Sequence, residues 1–216
     1  MPEISKLKIV VLISGSGSNL QTLIDQMIDQ SLPIEIAAVI SNKADAFGLT
    51  RAESAGISTV VLDNKSYPDR ESYDAALQEA IDEFNPQLVV LAGFMRILTE
   101  NFVNHYSGRM LNIHPSLLPH YRGLNTHQRA IDDKAKIHGV SVHFVTPELD
   151  GGPIIAQSQV DVKASDNAKS LAARVQKQEH KLYPLVIGWI ANGRIKLTDG
   201  ELFFDNQKLN KPILSD

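Results

Sequence analysis

Three features of the sequence predict an α/β fold with a Rossmann-like, doubly wound and mainly parallel sheet. Short β-branched apolar runs alternate with helical patterns through the first half of the chain. The run Leu88–Ala92 is apolar at every position, as a strand covered on both faces of a parallel sheet would be. After His114 the texture shifts to polar alternation and tight turns. That shift predicts antiparallel strands extending the sheet in the C-terminal half.

The elements follow in order. Ile9–Ile13 is a β-branched strand. Asn19–Gln30 places Leu20, Leu23, Ile24, Met27 and Ile28 at helical spacing. Ile34–Ile40 is a second strand, and Ala46–Ala55 a short helix closed by Gly56, a usual residue just past a helix end. Ser58–Leu62 is a third strand. Asp69 is placed to cap a helix reaching about Phe84, before Pro86. Thr99–Tyr106 is helical and Met110–His114 a fifth strand. Beyond it lie a loop over Pro115–Gly123, a helix over Thr126–Asp133 and strands over His138–Val145 and Ile154–Val162. A helix covers Ala168–His180, and Pro184 starts or kinks another through Ala191, since proline cannot donate within a helix. Leu197–Leu209 reads as a small hairpin or tail.

Composition narrows the function classes. The 216-residue chain suits one α/β domain. Its net charge of −4 and lack of a basic cluster argue against a nucleic-acid partner. Cysteine is absent, which removes disulfides, thiolate metal sites and a cysteine nucleophile, and fits a reducing cytoplasm. Lys6 and Lys8 precede an apolar run, but Ile9–Ile13 is shorter than the roughly 7–15 residues of a signal-peptide core. No run approaches the roughly 18 apolar residues of a membrane span.

The stretch Gly15-Ser16-Gly17-Ser18-Asn19-Leu20 joins the first strand to the first helix. It resembles the dinucleotide fingerprint, but Leu20 replaces the third glycine, and no acidic residue closes the second strand at Ser41-Asn42-Lys43. A P-loop would need Gly-Lys-Ser/Thr, which is missing. What remains is a helix N-terminus with backbone N–H groups and small polar side chains, suited to one phosphate. A plain strand-to-helix turn is the alternative.

"LNIHPS" supplies a second signal. Side chains alternate along a strand, so Asn112 and His114 share a face, with Cα atoms roughly 6.6 Å apart. An Asn amide is a neutral oxyanion donor, and a His can donate near neutral pH; a strand-end Asn beside a His that satisfies loop backbone is the alternative. The C-terminal ends of parallel strands are where such sheets bind ligands. Asp150, in "ELDGG", stands in a turn and could reach His114, where a carboxylate fixes the tautomer and favours the charged ring. Asn, His, Asp and a phosphate turn together suggest acyl-level transfer through a tetrahedral intermediate. No nucleophile elbow is present, so the nucleophile belongs to a substrate.

The segments "VVLISGSGSNLQ", "SNKADAFGL", "VVLAGFMRIL", "LNIHPSLLPHYRG", "GVSVHFVTPELDGGPII" and "RVQKQEHKLYP" together resemble the folate-dependent glycinamide ribonucleotide formyltransferases of purine biosynthesis. The resemblance runs roughly from Lys8 to Leu197. "HPSLLP" with "ELDGG" marks the wider formyltransferase superfamily, and "GSGSN" with "QEH" narrows it.

The resemblance implies 10-formyltetrahydrofolate as co-substrate, no metal, small-molecule partners only, and a cytoplasmic monomer or homodimer. It implies catalytic roles for Asn112, His114 and Asp150, and a phosphate turn at Gly17, Ser18 and Asn19. Glu179 would hold the ribose hydroxyls. The pterin would lie against Met95, Arg96, Ile97 and Leu98, beside Asn112 and backbone of the Thr146–Asp150 loop. Arg70 would contact the folate, unless it is simply a solvated arginine at a helix start. His143, on the strand before "ELDGG", could line the site or merely be packed. One domain over 1–216 is expected, with a phosphate-binding half at 1–106, a catalytic and folate-binding half at 107–197, and a tail at 198–216 that matches nothing.

Four other readings compete. A formyltetrahydrofolate deformylase would carry a regulatory domain ahead of the first strand and have no use for a phosphate turn. A methionyl-tRNA formyltransferase would add a basic domain after the sheet. An NAD-dependent oxidoreductase is disfavoured by Leu20 and Asn42. A non-catalytic phosphosugar-binding module leaves Asn112, His114 and Asp150 without a joint role.

Overall fold

The computed structural model describes residues 6–215. The chain divides into two compact units, one running to Leu111 and one from Asn112.

The first unit is the βα pattern that the alternation predicts. It contains β1 (Leu7–Ile13), α1 (Ser18–Ile28), β2 (Ile34–Ser41), α2 (Phe47–Ser54), β3 (Ser58–Val61), α3 (Arg70–Asp82), β4 (Leu88–Leu91) and α4 (Glu100–His105). The strands lie in the order β3-β2-β1-β4, all parallel. β1 is central, and Ile9 to Ile13 are wholly buried. The short helices end where the sequence marks them. The Asp69 carboxylate accepts from Ser72 N–H at 2.7 Å to open α3. Thr99 caps α4 in the same way, through Phe102 N–H. Gly56 follows α2 with φ +70°, the left-handed form expected past a helix end.

The boundary between the units falls inside β5 (Met110–His114). The second unit adds α5 (Thr126–Asp132), β6 (Ile137–Phe144), β7 (Ile154–Asp161), α6 (Ala168–Ala191), β8 (Ile195–Thr198), β9 (Glu201–Phe204), β10 (Gln207–Lys208) and β11 (Ile213–Ser215). Here β6 and β7 pair antiparallel, as expected, with a register shift at Val142/His143.

Two expectations need correction. Pro184 does not begin a new helix, because α6 runs unbroken through it to Ala191. Proline removes one donor there, but Leu182, Tyr183, Val186 and Ile187 around it are wholly buried, and this packing outweighs the lost bond. The C-terminal stretch is more than a hairpin or tail. Residues 195–208 form a three-stranded antiparallel sheet, and β11 pairs parallel with β7 in the register Ile213 to Ala156.

Candidate active site

β5 delivers Asn112 and His114 two residues apart, and the loop after β6 delivers Asp150. In the structure these three side chains converge. His114 Nδ1 lies 3.4 Å from Asp150 Oδ2, with both side chains over nine-tenths buried. His114 Nε2 lies 2.9 Å from the Tyr121 carbonyl. Both ring nitrogens thus face oxygen acceptors, and only an imidazolium can donate to both.

Asp150 is held in place by its own turn. Its φ of +48° is left-handed, which Asp tolerates better than most residues. Oδ2 accepts from Gly123 N–H at 2.8 Å, and Arg122 pairs with Glu148 nearby. The glycine at position 152 is compulsory, since a Cβ there would meet the Phe144 carbonyl oxygen at 1.9 Å. "ELDGG" is therefore both a turn and the support of a buried carboxylate.

Asn112 has a neighbour the sequence did not rank. Its Nδ2 lies 3.2 Å from His143 Nε2, while His143 Nδ1 lies 2.8 Å from the Phe144 carbonyl. The carbonyl can only accept, so Nδ1 carries the proton and Nε2 accepts from the amide. Burial lowers the His143 pKa, which keeps that ring neutral. The amide oxygen of Asn112 is thereby oriented as well. His143 belongs with the cluster, a point alternation along β6 cannot convey.

A second histidine pair stands on the same unit. His127 Nδ1 and His138 Nε2 are 3.2 Å apart, their rings edge to face. Burial, and then the neighbouring His127 imidazole, pushes the His138 pKa down to about 4.

Glu179 is half-buried on α6. The remaining candidates are in the first unit. Gly17 stands at the N-cap of α1 with φ +68°. The turn is braced from α2. Gly48 N–H donates to the Gly15 carbonyl at 3.0 Å, and Arg51 Nε donates to the Ser16 carbonyl at 2.9 Å. A Cβ on Gly17 would meet Gly48 Cα at 2.6 Å, so the close approach requires glycine there. Ser18 and Asn19 open the helix. Met95 to Leu98 form an irregular loop after β4, with Met95 and Ile97 66% and 60% exposed. Arg96 turns its guanidinium onto the Tyr73 ring, 4.2 Å from the centroid. Arg70 starts α3, half-exposed, with its guanidinium 3.9 Å from the carboxylate of its neighbour Glu71.

A family model described as formyl transferase matches residues 7–187. The chain belongs to the formyl transferase family. It is 55% identical over 203 residues to phosphoribosylglycinamide formyltransferase of Escherichia coli, covering 94% of this chain and 96% of the relative. The human trifunctional purine biosynthetic protein adenosine-3 is 45% identical over 195 residues, covering 90% of this chain but 19% of that protein. Among solved structures, the phosphoribosylglycinamide formyltransferase of Coxiella burnetii matches with a TM-score of 0.93 at 49% identity, covering 98% of this chain and all of that one. This formyltransferase has, among its described residues, no helix long and apolar enough to cross a membrane.

Proposed function

We propose that this formyltransferase transfers the formyl group of 10-formyltetrahydrofolate to the amine of 5-phosphoribosylglycinamide, in de novo purine biosynthesis. The observation that carries the reading is the convergence of Asn112, His114 and Asp150 about His143, with the His114 and Asp150 side chains buried. The relatives that match nearly end to end bear the same activity in their names.

The residues divide the work. The Gly17-Ser18-Asn19 turn takes the phosphate of the ribonucleotide on α1, and Glu179 takes the ribose hydroxyls. Met95, Arg96, Ile97 and Leu98 hold the folate, with Arg70 contacting its outer part and Asn112 its inner end. The substrate amine attacks the formyl carbon. Asn112 Nδ2 and His114 Nε2 donate to the oxygen that becomes negative in the tetrahedral intermediate. Asp150 orients His114 and matches its positive charge. Collapse breaks the bond from the formyl carbon to N10 of the folate, which leaves with the proton lost by the amine. Products are formylglycinamide ribonucleotide and tetrahydrofolate. Much of the rate gain comes from holding two reactants together.

In this reading the partners are small molecules and not nucleic acid, and the protein acts in the cytoplasm as a monomer or homodimer, without a metal. The acidic balance and absence of cysteine support it. The test mixes protein with both substrates and follows folate absorbance. Formyl loss that requires the ribonucleotide is expected. Formyl loss without it would make the protein a deformylase, and no reaction with either would leave a binding module.

A further inference from the structure

The loop Gly93–Leu98 has no regular hydrogen bonding of its own, yet buried polar side chains tie down both of its ends. At the start, Met95 N–H donates to the Ser14 hydroxyl at 2.8 Å. Ser14 donates in turn to Asn42 Oδ1 at 2.5 Å, and Asn42 Nδ2 donates to Asn64 Oδ1 at 3.1 Å. Ser14 N–H also donates to the Gly93 carbonyl at 3.1 Å. At the far end, Thr99 N–H donates to Asp74 Oδ2 at 2.6 Å. Between the two anchors, Arg96 is stacked on Tyr73, the residue before Asp74 on α3.

Asp74 is 2% exposed, and its Oδ1 has no hydrogen-bond partner among the described residues. A buried carboxylate with half its acceptors idle is costly, and an apolar residue would fill that helix face more cheaply. Its one strong bond goes to the end of this loop. The loop in turn presents Met95 and Ile97 outward, an arrangement that burial of apolar surface would oppose without the anchors.

We propose that Asp74, together with Ser14, is a positioning residue for the folate co-substrate. Neither touches the folate. They fix the backbone of Gly93–Leu98 in the shape that receives it. The proposal rests on the reading of that loop as folate-binding.

Three variants test it: Ser14→Ala, Asp74→Ala and Asp74→Asn. Ser14→Ala keeps the backbone bond to Gly93 and loses the one from Met95. Asp74→Asn keeps an oxygen that accepts from Thr99. Losing a bond to a charged group corresponds to roughly tenfold or more in affinity. Asp74→Ala should therefore raise the KM for 10-formyltetrahydrofolate roughly tenfold or more. Ser14→Ala should raise it by less, and Asp74→Asn should restore most of the loss. The KM for the ribonucleotide should stay put, and kcat at saturating folate should fall far less than kcat/KM. Hydrogen exchange should quicken at Met95 in Ser14→Ala and at Thr99 in Asp74→Ala. Unchanged folate KM in folded Ser14→Ala and Asp74→Ala, even with a lowered melting temperature, would reduce both residues to structural ones. Should Asp74→Ala fail to fold, Ser14→Ala decides alone by the same criterion. A separate arm adds tetrahydrofolate to the wild type. If the amides of 93–98 gain no protection, the loop does not bind folate and the underlying reading falls first.

Discussion

In the proposed reading the first unit offers ligands its backbone, while the second offers buried side chains. In the first, the groups assigned to binding are the amides at Gly17–Asn19 and the loop Gly93–Leu98. Among its buried polar side chains, Ser14 and Asp74 bond the backbone of that loop and its end, and Asn42 bonds Ser14. In the second unit, His114, His138 and His143 are all more than nine-tenths buried. There the groups proposed to react are the His114 imidazole, the Asn112 amide and the Asp150 carboxylate, each facing a neighbouring polar group. Backbone donors bring position at no titration cost. Buried imidazoles bring charge that can be moved, and they bring pH sensitivity with it. The lesson is that binding and chemistry make different demands on a sequence. The first needs glycine and turn geometry, and the second needs specific side chains with specific partners.

That contrast predicts where single changes act. Asn112→Ala and His114→Ala should each lower turnover about 10²–10³-fold, the usual worth of an oxyanion donor. Both ligands should still bind, because in the proposed reading neither side chain is the main anchor of either. A near-normal rate in either variant would take that residue out of the chemistry.

Asp150→Asn sharpens the same point. The amide oxygen of the variant can still accept from Gly123 N–H, so the turn should survive. What disappears is the negative charge beside His114. A charge-assisted bond is worth about 1.5–3 kcal/mol, or roughly ten- to a hundredfold in rate. Turnover should fall by that factor with the melting temperature little changed. An equal loss of stability and rate would mean that Asp150 serves the turn rather than the histidine.

The first unit should respond with opposite signs for stability and binding. Ser18→Asp places a carboxylate at the N-terminus of α1, where it favours the helix by about 0.3–1 kcal/mol. Against a bound phosphate the same charge repels. Affinity for the ribonucleotide should drop roughly tenfold while folate affinity and melting temperature hold or rise. Unaltered ribonucleotide affinity would place the phosphate elsewhere.

Much of this was legible in the sequence because it is written in short-range signals. Strand β1, helix α1, the Asp69 cap and the two-residue spacing of Asn112 and His114 are all local patterns. The misses are not local. β11 is three residues long after Pro212, and its reason for being a strand is β7, more than fifty positions away. Pro184 obeys a local rule that burial around α6 overrides. The Tyr121 carbonyl that faces His114 is a backbone group and leaves no trace in residue type. His143 is a histidine on an alternating strand, and the Phe144 carbonyl facing its Nδ1 is what sets its tautomer. Asp74 looked like any helix carboxylate, since hydrophobic periodicity does not show what a polar side chain will face.

The smallest effect at neutral pH concerns stability, and its sign separates the two units. His138 is 1% exposed, with a pKa pushed down to about 4 by burial and by His127 beside it. In the unfolded chain it titrates near 6.5. Above pH 6.5 both states are neutral at this ring, and its contribution to stability is fully present. Between about 6.5 and about 4 the unfolded chain binds a proton that the folded chain refuses. Stability must therefore fall as pH drops through that window, by about 1.4 kcal/mol per pH unit once the difference is fully developed. From pH 7 to pH 5 the loss from His138 alone approaches about 2 kcal/mol. His127 and His143, also shifted downward, add in the same direction. His138→Gln should flatten the acid limb of a stability-versus-pH curve, even if the variant starts lower at pH 7.5. Hydrogen exchange should locate the effect, with β6 amides losing protection at pH 5 and β1 amides keeping theirs under conditions where the units open separately. An acid limb of unchanged steepness in His138→Gln would show that this imidazole is not held neutral. The buried histidines of the second unit would then be no more sensitive to acid than the backbone-built first unit.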